Sequence, residues 1–240
     1  MDELLISTML IGGRELGYSF TDNQLKQFND YYRFLIETNK YINLTAITEP
    51  EEVAVKHFLD SMTCLSIVNK YENARIIDVG TGAGFPGVVL KICSSASVVL
   101  LDSLRKRVDF LNRLVEKLQL ENIKAVHGRA EDFGKDKDYR ARYDLVVSRA
   151  VAHLAVLSEY CLPLIKVGGT FVAMKGSKAE KEIEEAKNAV SILGGRIVDI
   201  KELKLPVTGN KRTIVEIKKV LPTPDKYPRR AGVPAKKPLK

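Results

Sequence analysis

The sequence of 240 residues has few cysteines and no long apolar run, and these two absences narrow the class of protein. The three cysteines, at positions 64, 93 and 161, form no Cys-x-x-Cys pair, so reduced thiols in a cytoplasmic protein are expected. No apolar stretch approaches the ~20 residues that span a membrane. The acidic start Met1-Asp2-Glu3 lacks the basic region of a signal peptide. The sequence therefore predicts a soluble, intracellular protein that does not enter a membrane.

The residues for several catalytic chemistries are also missing. The three histidines lack the spacing of metal ligands, so no metal site is expected and a structural role is favoured for His57, His127 and His153. Cys161 precedes Leu162-Pro163 instead of following a proline, which disfavours a thiolate that attacks a base. The chain also has no Asn/Asp-Pro-Pro-Tyr stretch that would hold an exocyclic amine.

Positive charge is present but unevenly distributed. The net charge is +8, and six of these charges belong to residues 226–240, a stretch without any acid; the other 225 residues carry the remaining two. A balanced body with a basic tail favours a polyanionic partner such as nucleic acid, and a merely solvated terminus is the alternative. Three prolines in the tail, at 228, 234 and 238, favour an extended segment.

A glycine-rich turn stands between a predicted strand and a predicted helix. The apolar run 74–79, with Asp78 near its end, is typical of a buried strand. Glycines follow at 80, 82, 84 and 87, and Pro86 stands where a helix begins. The backbone amides of such a turn point outward and attract negative charge. The turn is predicted to cradle a nucleotide-like cofactor, against the alternative that it is a glycine-rich turn without a ligand.

Two cofactor templates compete for this turn. Residues 82–87 satisfy the dinucleotide pattern Gly-x-Gly-x-x-Gly, whereas 78–84 satisfy the acidic, glycine-rich loop of enzymes that use S-adenosylmethionine (AdoMet). A dinucleotide pattern should start at the first glycine after the strand, and from Gly80 the six-residue pattern fails. The carboxylate of Asp78 would repel a pyrophosphate but can pair with the ammonium of methionine. AdoMet is therefore the expected cofactor.

Strands and helices alternate along the rest of the chain. Strands are predicted at 74–79, 97–101, 123–127, 143–148, 170–174, 195–205 and 212–218, and helices at 87–93, 103–120, 152–162 and 178–193. This order predicts a Rossmann-like AdoMet-dependent methyltransferase fold, with a doubly wound, mostly parallel sheet and one antiparallel strand. Three parts are predicted: an N-terminal helical extension (1–72), the methyltransferase domain (73–220) and a basic tail (221–240).

Ligands of such sheets bind beyond the carboxyl ends of the strands, so the residues at those ends are candidates. Asp78 and Gly80 end the first strand. Asp102 ends the second, where it would accept the ribose hydroxyls or act as the N-cap of the next helix. Ala130 and Glu131 follow the third strand, at the depth of the adenine ring. Arg149 ends the fourth, near the methyl donor and the substrate, with a surface salt bridge as its alternative.

Seven stretches of the sequence resemble the glucose-inhibited division protein B family, and the match runs nearly from end to end. These stretches are 43–47 (NLTAI), 57–61 (HFLDS), 78–87 (DVGTGAGFPG), 101–103 (LDS), 129–131 (RAE), 148–152 (SRAVA) and 226–232 (KYPRRAG). The resemblance implies an AdoMet-dependent enzyme that methylates N7 of a guanine in 16S ribosomal RNA of the small subunit. Such a ring nitrogen has a free lone pair, so alignment and exclusion of water would carry the catalysis.

The resemblance also implies roles for particular residues. Gly80, Phe85, the pair Ala130-Glu131 and Arg149 match the family's AdoMet-binding positions. Asp78 and Asp102 fall where methyltransferases hold the methionine ammonium and the ribose, and Gly82 and Gly84 complete the loop. Arg149 is the predicted catalytic residue. The expected partner is 16S rRNA or the small subunit, and the expected state is a monomer.

Three other classes stay open at this point. A non-catalytic RNA-binding module would explain the basic tail but not the carboxylates at the strand ends. A small-molecule methyltransferase would explain the loop but not the tail, and the loop register disfavours an NAD oxidoreductase. Because the glycine loop lies elsewhere in the chain, the tail itself is expected to take no part in cofactor binding.

Overall fold

A seven-stranded sheet with the order β3-β2-β1-β4-β5-β7-β6 organises the computed structural model, which describes residues 1–177 and 179–239. The strands are β1 (Arg75–Val79), β2 (Ser97–Asp102), β3 (Ile123–His127), β4 (Tyr143–Arg149), β5 (Ile165–Lys175), β6 (Gly195–Lys204) and β7 (Lys211–Lys219). All neighbouring pairs among strands β1 to β5 are parallel, whereas β7 pairs antiparallel with both β5 and β6. The predicted doubly wound, mostly parallel sheet with one antiparallel strand is confirmed.

Helices precede the sheet and connect its strands. They are α1 (Glu3–Glu15), α2 (Asp22–Asn39), α3 (Pro50–Val53), α4 (Asp60–Met62), α5 (Leu65–Val68), α6 (Gly87–Ile92), α7 (Arg105–Lys117), α8 (Ala130–Phe133), α9 (Leu154–Cys161), α10 (Glu180–Ile192) and α11 (Val233–Lys236). A π-helical turn, Ala54–Leu59, joins α3 to α4 in one continuous helical stretch, and a 3-10 turn, Leu162–Leu164, follows α9. None of the described helices is long and apolar enough to span a bilayer.

Several element boundaries differ from the predicted ones, and for two of them the structure shows a local reason. Helix α7 begins at Arg105 instead of residue 103, because Asp102 accepts a hydrogen bond from the Leu104 amide and holds Leu104 in an extended conformation. Strand β5 begins at Ile165 instead of residue 170, because its ladder with β4 continues across a bulge and past the glycines at 168 and 169. The helix predicted from residue 178 begins at Glu180, and Lys178 lies outside the described residues.

The N-terminal helices pack into the same core as one face of the sheet. Thr21 and Gln24 form a capping box at the start of α2, in which each side chain accepts a hydrogen bond from the other residue's backbone amide. The apolar face of α2 is buried, and its rings Phe28 and Tyr31 are fully enclosed, so both belong to the core.

Neighbouring residues of the central strand point into opposite core layers. Ile76 of β1 packs with the N-terminal helices, α6 and α7, whereas Ile77 packs with α9 and α10 on the other face. The carboxyl ends of β1, β2 and β4 consequently meet at one edge between two covered faces. This edge carries the residues predicted for the site.

Candidate active site

The glycine turn after β1 is held from beneath by Asp78. This fully buried carboxylate accepts hydrogen bonds through Oδ2 from the Thr81 hydroxyl (2.7 Å) and the Gly87 amide (2.8 Å), so it ties both ends of the turn together. Its Oδ1 has no hydrogen-bond partner among the described residues. Burial raises the pKa of Asp78 to about 6. Asp78 shapes the loop from behind, and its direct contact with a cofactor stays a prediction.

Gly80 is the point where the turn meets the segment after β4. Its φ of +72° lies in the left-handed region that favours glycine. A Cβ at this position would lie 2.5 Å from Cγ2 of Val151. A side chain on residue 80 would therefore meet the protein's own Val151 before it met any ligand.

Asp102 joins the glycine turn to the end of β2. Its Oδ2 accepts hydrogen bonds from the Gly82 amide (2.9 Å) and the Arg107 guanidinium (3.4 Å), and Oδ1 accepts one from the Leu104 amide (2.9 Å). The N-cap alternative is wrong as stated, because Leu104 is the N-cap residue of α7 and has no capping side-chain bond. Contact between Asp102 and a ribose stays a prediction.

A cavity of about 220 Å³ opens at this edge of the sheet. Four of the predicted cofactor residues line it together: Gly80, Asp102, Ala130 and Glu131. Glu131 is buried and accepts a hydrogen bond from the Gly232 amide (2.9 Å), a partner that sequence reasoning missed. The pocket lining thus combines the ends of β1, β2 and β3 with the C-terminal tail.

The remaining predicted loop residues lie behind this lining. Gly84 packs against the Tyr31 hydroxyl, which donates a hydrogen bond to the Ala83 carbonyl (2.6 Å). Phe85 is buried and stacks on Tyr31 on one side and His57 on the other, with ring centroids 5.2 and 4.5 Å apart. The turn is consequently wedged against the N-terminal helices, which hold its shape.

Arg149 lines a second cavity of about 450 Å³ on the other side of the same edge. Its Nη1 donates to Asp60 Oδ2 (3.0 Å) and to the Lys56 carbonyl (3.0 Å), and its Nη2 donates to His57 Nδ1 (3.2 Å). Its guanidinium carbon also lies 5.1 Å from the ring centroid of Phe85. The surface-salt-bridge alternative is wrong, because the side chain is 14% exposed and that of Asp60 is 5% exposed.

Asp60 binds a second arginine in this cavity, and sequence reasoning missed both residues as site candidates. The Arg212 Nε donates to Asp60 Oδ1 at 3.1 Å. One carboxylate is thus shared by two guanidinium groups, and Lys56 and Lys175 line the same cavity. Lys56 is paired with Glu52 and Lys175 with Glu182, so the excess positive charge of the cavity comes from the two arginines that share Asp60. This excess suits an anionic or hydrogen-bond-accepting ligand.

His57 connects this cluster to the stretch 43–47. Because Nδ1 accepts from Arg149, the neutral ring donates its Nε2 proton to Thr45 Oγ1 (2.8 Å), which also accepts from the Ile47 amide (3.0 Å). Burial and the neighbouring Arg149 lower the pKa of His57 to about 3. Three stretches of the family resemblance, 43–47, 57–61 and 148–152, therefore meet in one hydrogen-bonded network.

The short segment after β4 separates the two cavities. Val151 lines the first and Ala150 lines the second. Ala150 has a φ of +56°, a left-handed conformation that is strained for a residue with a Cβ. Strained backbone of this kind is often found at binding and catalytic sites, and here it stands between the two candidate sites.

The tail differs from the sequence expectation. The sequence predicts an extended segment, with a merely solvated terminus as the alternative; instead part of the tail docks on the protein, and α11 forms within it. Arg229 is bound to the buried carboxylate of Glu159, so its charge is not free to contact the polyanionic partner expected for the tail. Four other cations of the tail are exposed: Lys226, Arg230, Lys236 and Lys237. Lys240 lies outside the described residues.

The sheet order, the glycine turn after β1, the acid ending β2 and the antiparallel β7 define a Rossmann-like AdoMet-dependent methyltransferase. A family model described as rRNA small subunit methyltransferase G (GidB) matches residues 24–215. The chain belongs to this family, which is the one that the sequence stretches resemble, and the NAD-oxidoreductase alternative is excluded. No group of three or more His, Cys, Asp or Glu among the described residues is arranged to hold a metal ion.

Curated relatives agree with this assignment over their whole length. The ribosomal RNA small subunit methyltransferase G of Pelotomaculum thermopropionicum is 55% identical over 98% of this chain and 99% of its own. The protein of the same name from Desulforamulus reducens is 52% identical over the full length of both. A crystal structure of a SAM-dependent methyltransferase from Aquifex aeolicus matches with a TM-score of 0.54 at 19% identity, over 72% of this chain and 94% of that one, and shows the shared fold.

Proposed function

We propose that this protein transfers a methyl group from AdoMet to N7 of a guanine in 16S ribosomal RNA. Family membership over the full chain supports the substrate class. The observation that carries the proposal is the pair of adjacent cavities at the carboxyl edge of the sheet. One is lined by the glycine turn, the other by arginine and lysine side chains, and the segment 150–151 lies between them.

The first cavity is the cofactor side. AdoMet, when bound, supplies an electrophilic methyl group on a positively charged sulfur. Gly80, Asp102, Ala130 and Glu131 line its binding site. Three other predicted residues, Asp78, Gly84 and Phe85, act from behind this lining by fixing the shape of the turn. The Gly82 amide binds Asp102 and so ties the turn to the lining.

The second cavity is the target side. N7 of guanine already has a lone pair, so the protein need not remove a proton before the transfer. His57 is suited to holding the site and not to proton transfer, because its two ring nitrogens are bonded to Arg149 and Thr45. Arg149 is the catalytic residue in this proposal: Asp60 and Phe85 fix its guanidinium where it can orient the base. Arginine donors match the acceptor edge of guanine, and donation to O6 would leave N7 free.

The proposed partner is the 16S rRNA, free or assembled in the small subunit, and the enzyme acts as a monomer in the cytoplasm. Exposed cations of the tail and the cations of the second cavity would contact the RNA backbone. Such contacts release counterions, so the affinity for RNA should fall steeply as salt increases.

The deciding experiment measures methyl transfer from labelled AdoMet to 16S rRNA and to 30S subunits that lack the modification. We expect one guanine to become labelled and, after borohydride reduction and aniline treatment, to be the site of the chain cleavage that marks N7-methylguanine. Arg149→Ala should lose most of its turnover. Arg142→Ala, which changes an exposed arginine just before the same strand, is the matched control and should retain it. Label on another atom or in another RNA would contradict the proposal.

A further inference from the structure

The C-terminal tail contributes to the wall of the cofactor cavity. Gly232 and Ala235 line it together with Gly80 and Asp102, although they lie about 150 positions away from the glycine turn in the sequence. The tail therefore faces the same space as the motif that defines the cofactor site. This was not expected from the sequence, in which the tail and the loop are distant.

A buried ion pair fastens the tail to helix α9. The Arg229 side chain donates through Nη2 to Glu159 Oε2 (2.6 Å) and through Nε to Oε1 (2.9 Å), and the Arg229 amide donates to Oε1 (2.7 Å). Glu159 is 0% exposed. Without the tail, this carboxylate would be buried in an apolar helix without its positive partner, which is strongly unfavourable.

A second bond joins the tail to a residue of the cavity lining itself. The Gly232 amide donates to Glu131 Oε1 at 2.9 Å. Gly232 has a φ of +82°, so a residue with a side chain would be strained in the conformation that directs this amide at Glu131. The tail consequently helps to fix the orientation of a carboxylate that lines the cavity.

The start of the tail is anchored independently of these contacts. Arg140 donates hydrogen bonds to the carbonyls of Thr223 (2.7 Å) and Tyr227 (2.8 Å), and Lys135 donates to the carbonyl of Asp225 (2.6 Å). Removal of the Arg229 side chain would thus weaken the docking of residues 229–239, which then depends on the Gly232–Glu131 bond and on packing, while the chain up to residue 227 stays attached. The wall of the cavity can be perturbed without detaching the whole tail.

We propose that residues 229–239 form one wall of the AdoMet site and that the Arg229–Glu159 ion pair holds this wall in its docked position. The inference rests on the proposed function, because it takes the cavity as the AdoMet site. Docking of the wall and binding of AdoMet favour each other by the same factor, since coupling between two binding equilibria is reciprocal. The cofactor should therefore protect the tail, and an undocked tail should weaken cofactor binding.

The test compares two neighbouring arginines that differ in their partners. Arg229→Ala removes the positive charge and the side-chain bonds to Glu159 and keeps only the bond from the backbone amide, whereas Arg230→Ala removes an exposed charge and serves as the matched control. Titration calorimetry with AdoMet should show Kd raised by about tenfold or more in Arg229→Ala, because the docked state is less populated. Arg230→Ala should bind AdoMet with the same Kd as the wild-type protein. Equal AdoMet affinity of the two variants would overturn the proposal.

Hydrogen exchange supplies a second measurement, and its main comparison, with and without AdoMet, uses the wild-type protein and so does not depend on the folding of a variant. The amide of Gly232 should exchange more slowly when AdoMet is bound, and this protection should be absent in Arg229→Ala. If AdoMet did not change the exchange rate of the Gly232 amide, the proposal that residues 229–239 form a wall of the AdoMet site would be contradicted. Failure of the full-length protein to bind AdoMet at all would instead refute the proposed function, so the two failures are distinguishable.

Discussion

Two buried carboxylates, Asp60 and Glu159, lie on opposite faces of the sheet and are both bound by arginine. Asp60 is shared by Arg149 from β4 and Arg212 from β7, and it borders an open cavity. Glu159 is bound by Arg229 alone, and its carboxylate is sealed from solvent. Asp60 thus has one arginine more than its charge requires, whereas the charge of Glu159 is balanced by a single arginine.

This difference in charge balance indicates a difference in role. Two guanidiniums around one carboxylate leave a net positive charge beside a cavity, where it can interact with the electron-rich edge of a base or with a phosphate. One guanidinium around one carboxylate leaves no net charge, and such a pair serves to hold a segment in place. We therefore assign the Asp60 cluster to the substrate and the Glu159 pair to the architecture of the cofactor site.

The largest effect on stability is expected for Asp60→Ala, because it leaves two arginines without their shared partner. Removing one member of a buried ion pair costs about 3–5 kcal/mol of the free energy of unfolding. Urea unfolding measures this decrease. Glu52→Ala is the control, since it breaks the exposed pair with Lys56 and should change stability by no more than about 1 kcal/mol. A small effect of Asp60→Ala would mean that water already screens the cluster.

Glu159→Gln should have a smaller effect, because the amide oxygen can still accept a hydrogen bond from Arg229. Removing the charge from these bonds is expected to cost about 1.5–3 kcal/mol in urea unfolding. Glu185→Gln, on the half-exposed helix surface where Glu185 pairs with His153, is the matched control and should stay within about 1 kcal/mol. If RNA affinity fell in Glu159→Gln while stability and AdoMet affinity were unchanged, the assignment of the two carboxylates would be reversed.

Local patterns predicted most of the fold and part of the site. Strand β1, the glycine turn and Asp102 were accessible because alternating apolar runs, glycine spacing and strand ends are features of short stretches. The division into 1–72, 73–220 and 221–240 stays a prediction, although the N-terminal helices share one core with the sheet.

Contacts between distant residues were not accessible in this way. Asp60 and Arg212 are 152 positions apart, and no periodicity marks Arg212 among the many basic residues of the chain. The docking of the tail was missed because its composition is that of a solvated segment. A signal did exist in Glu159, a lone acid in the otherwise apolar helix Leu154–Cys161, since a buried carboxylate requires a partner.

His57 provides a pH test of the Asp60 cluster. Its pKa is about 3 in the folded protein, below its ordinary value of 6.5, so the unfolded chain binds more protons between these values. Stability from this group is therefore complete above about pH 6.5 and decreases as the pH falls toward 3, by at most about 1.4 kcal/mol per pH unit.

The measurement compares urea unfolding of the unchanged protein and His57→Gln between pH 4 and 7. Glutamine can still accept from Arg149 and donate to Thr45 but does not titrate, so it should remove this part of the pH dependence. The comparison is needed because Asp78, with its pKa raised to about 6, contributes with the opposite sign between its ordinary value and 6. If the free energy of unfolding changed equally with pH in the wild-type protein and in His57→Gln, His57 would have the same protonation in the folded and the unfolded state.

The smallest effect on stability is expected for the four exposed cations of the tail, Lys226, Arg230, Lys236 and Lys237. None of them belongs to the Arg229–Glu159 pair, so replacing all four by glutamine should change the free energy of unfolding by no more than about 0.5 kcal/mol per site and leave AdoMet affinity unchanged. RNA affinity is the sensitive readout. Each cation that no longer neutralises a phosphate lowers the slope of log affinity against log salt by about 0.7, so the slope should fall by up to about 3. An unchanged slope, measured with the same RNA at several salt concentrations, would restrict the tail to its role in the cofactor site and leave RNA binding to the Asp60 cluster.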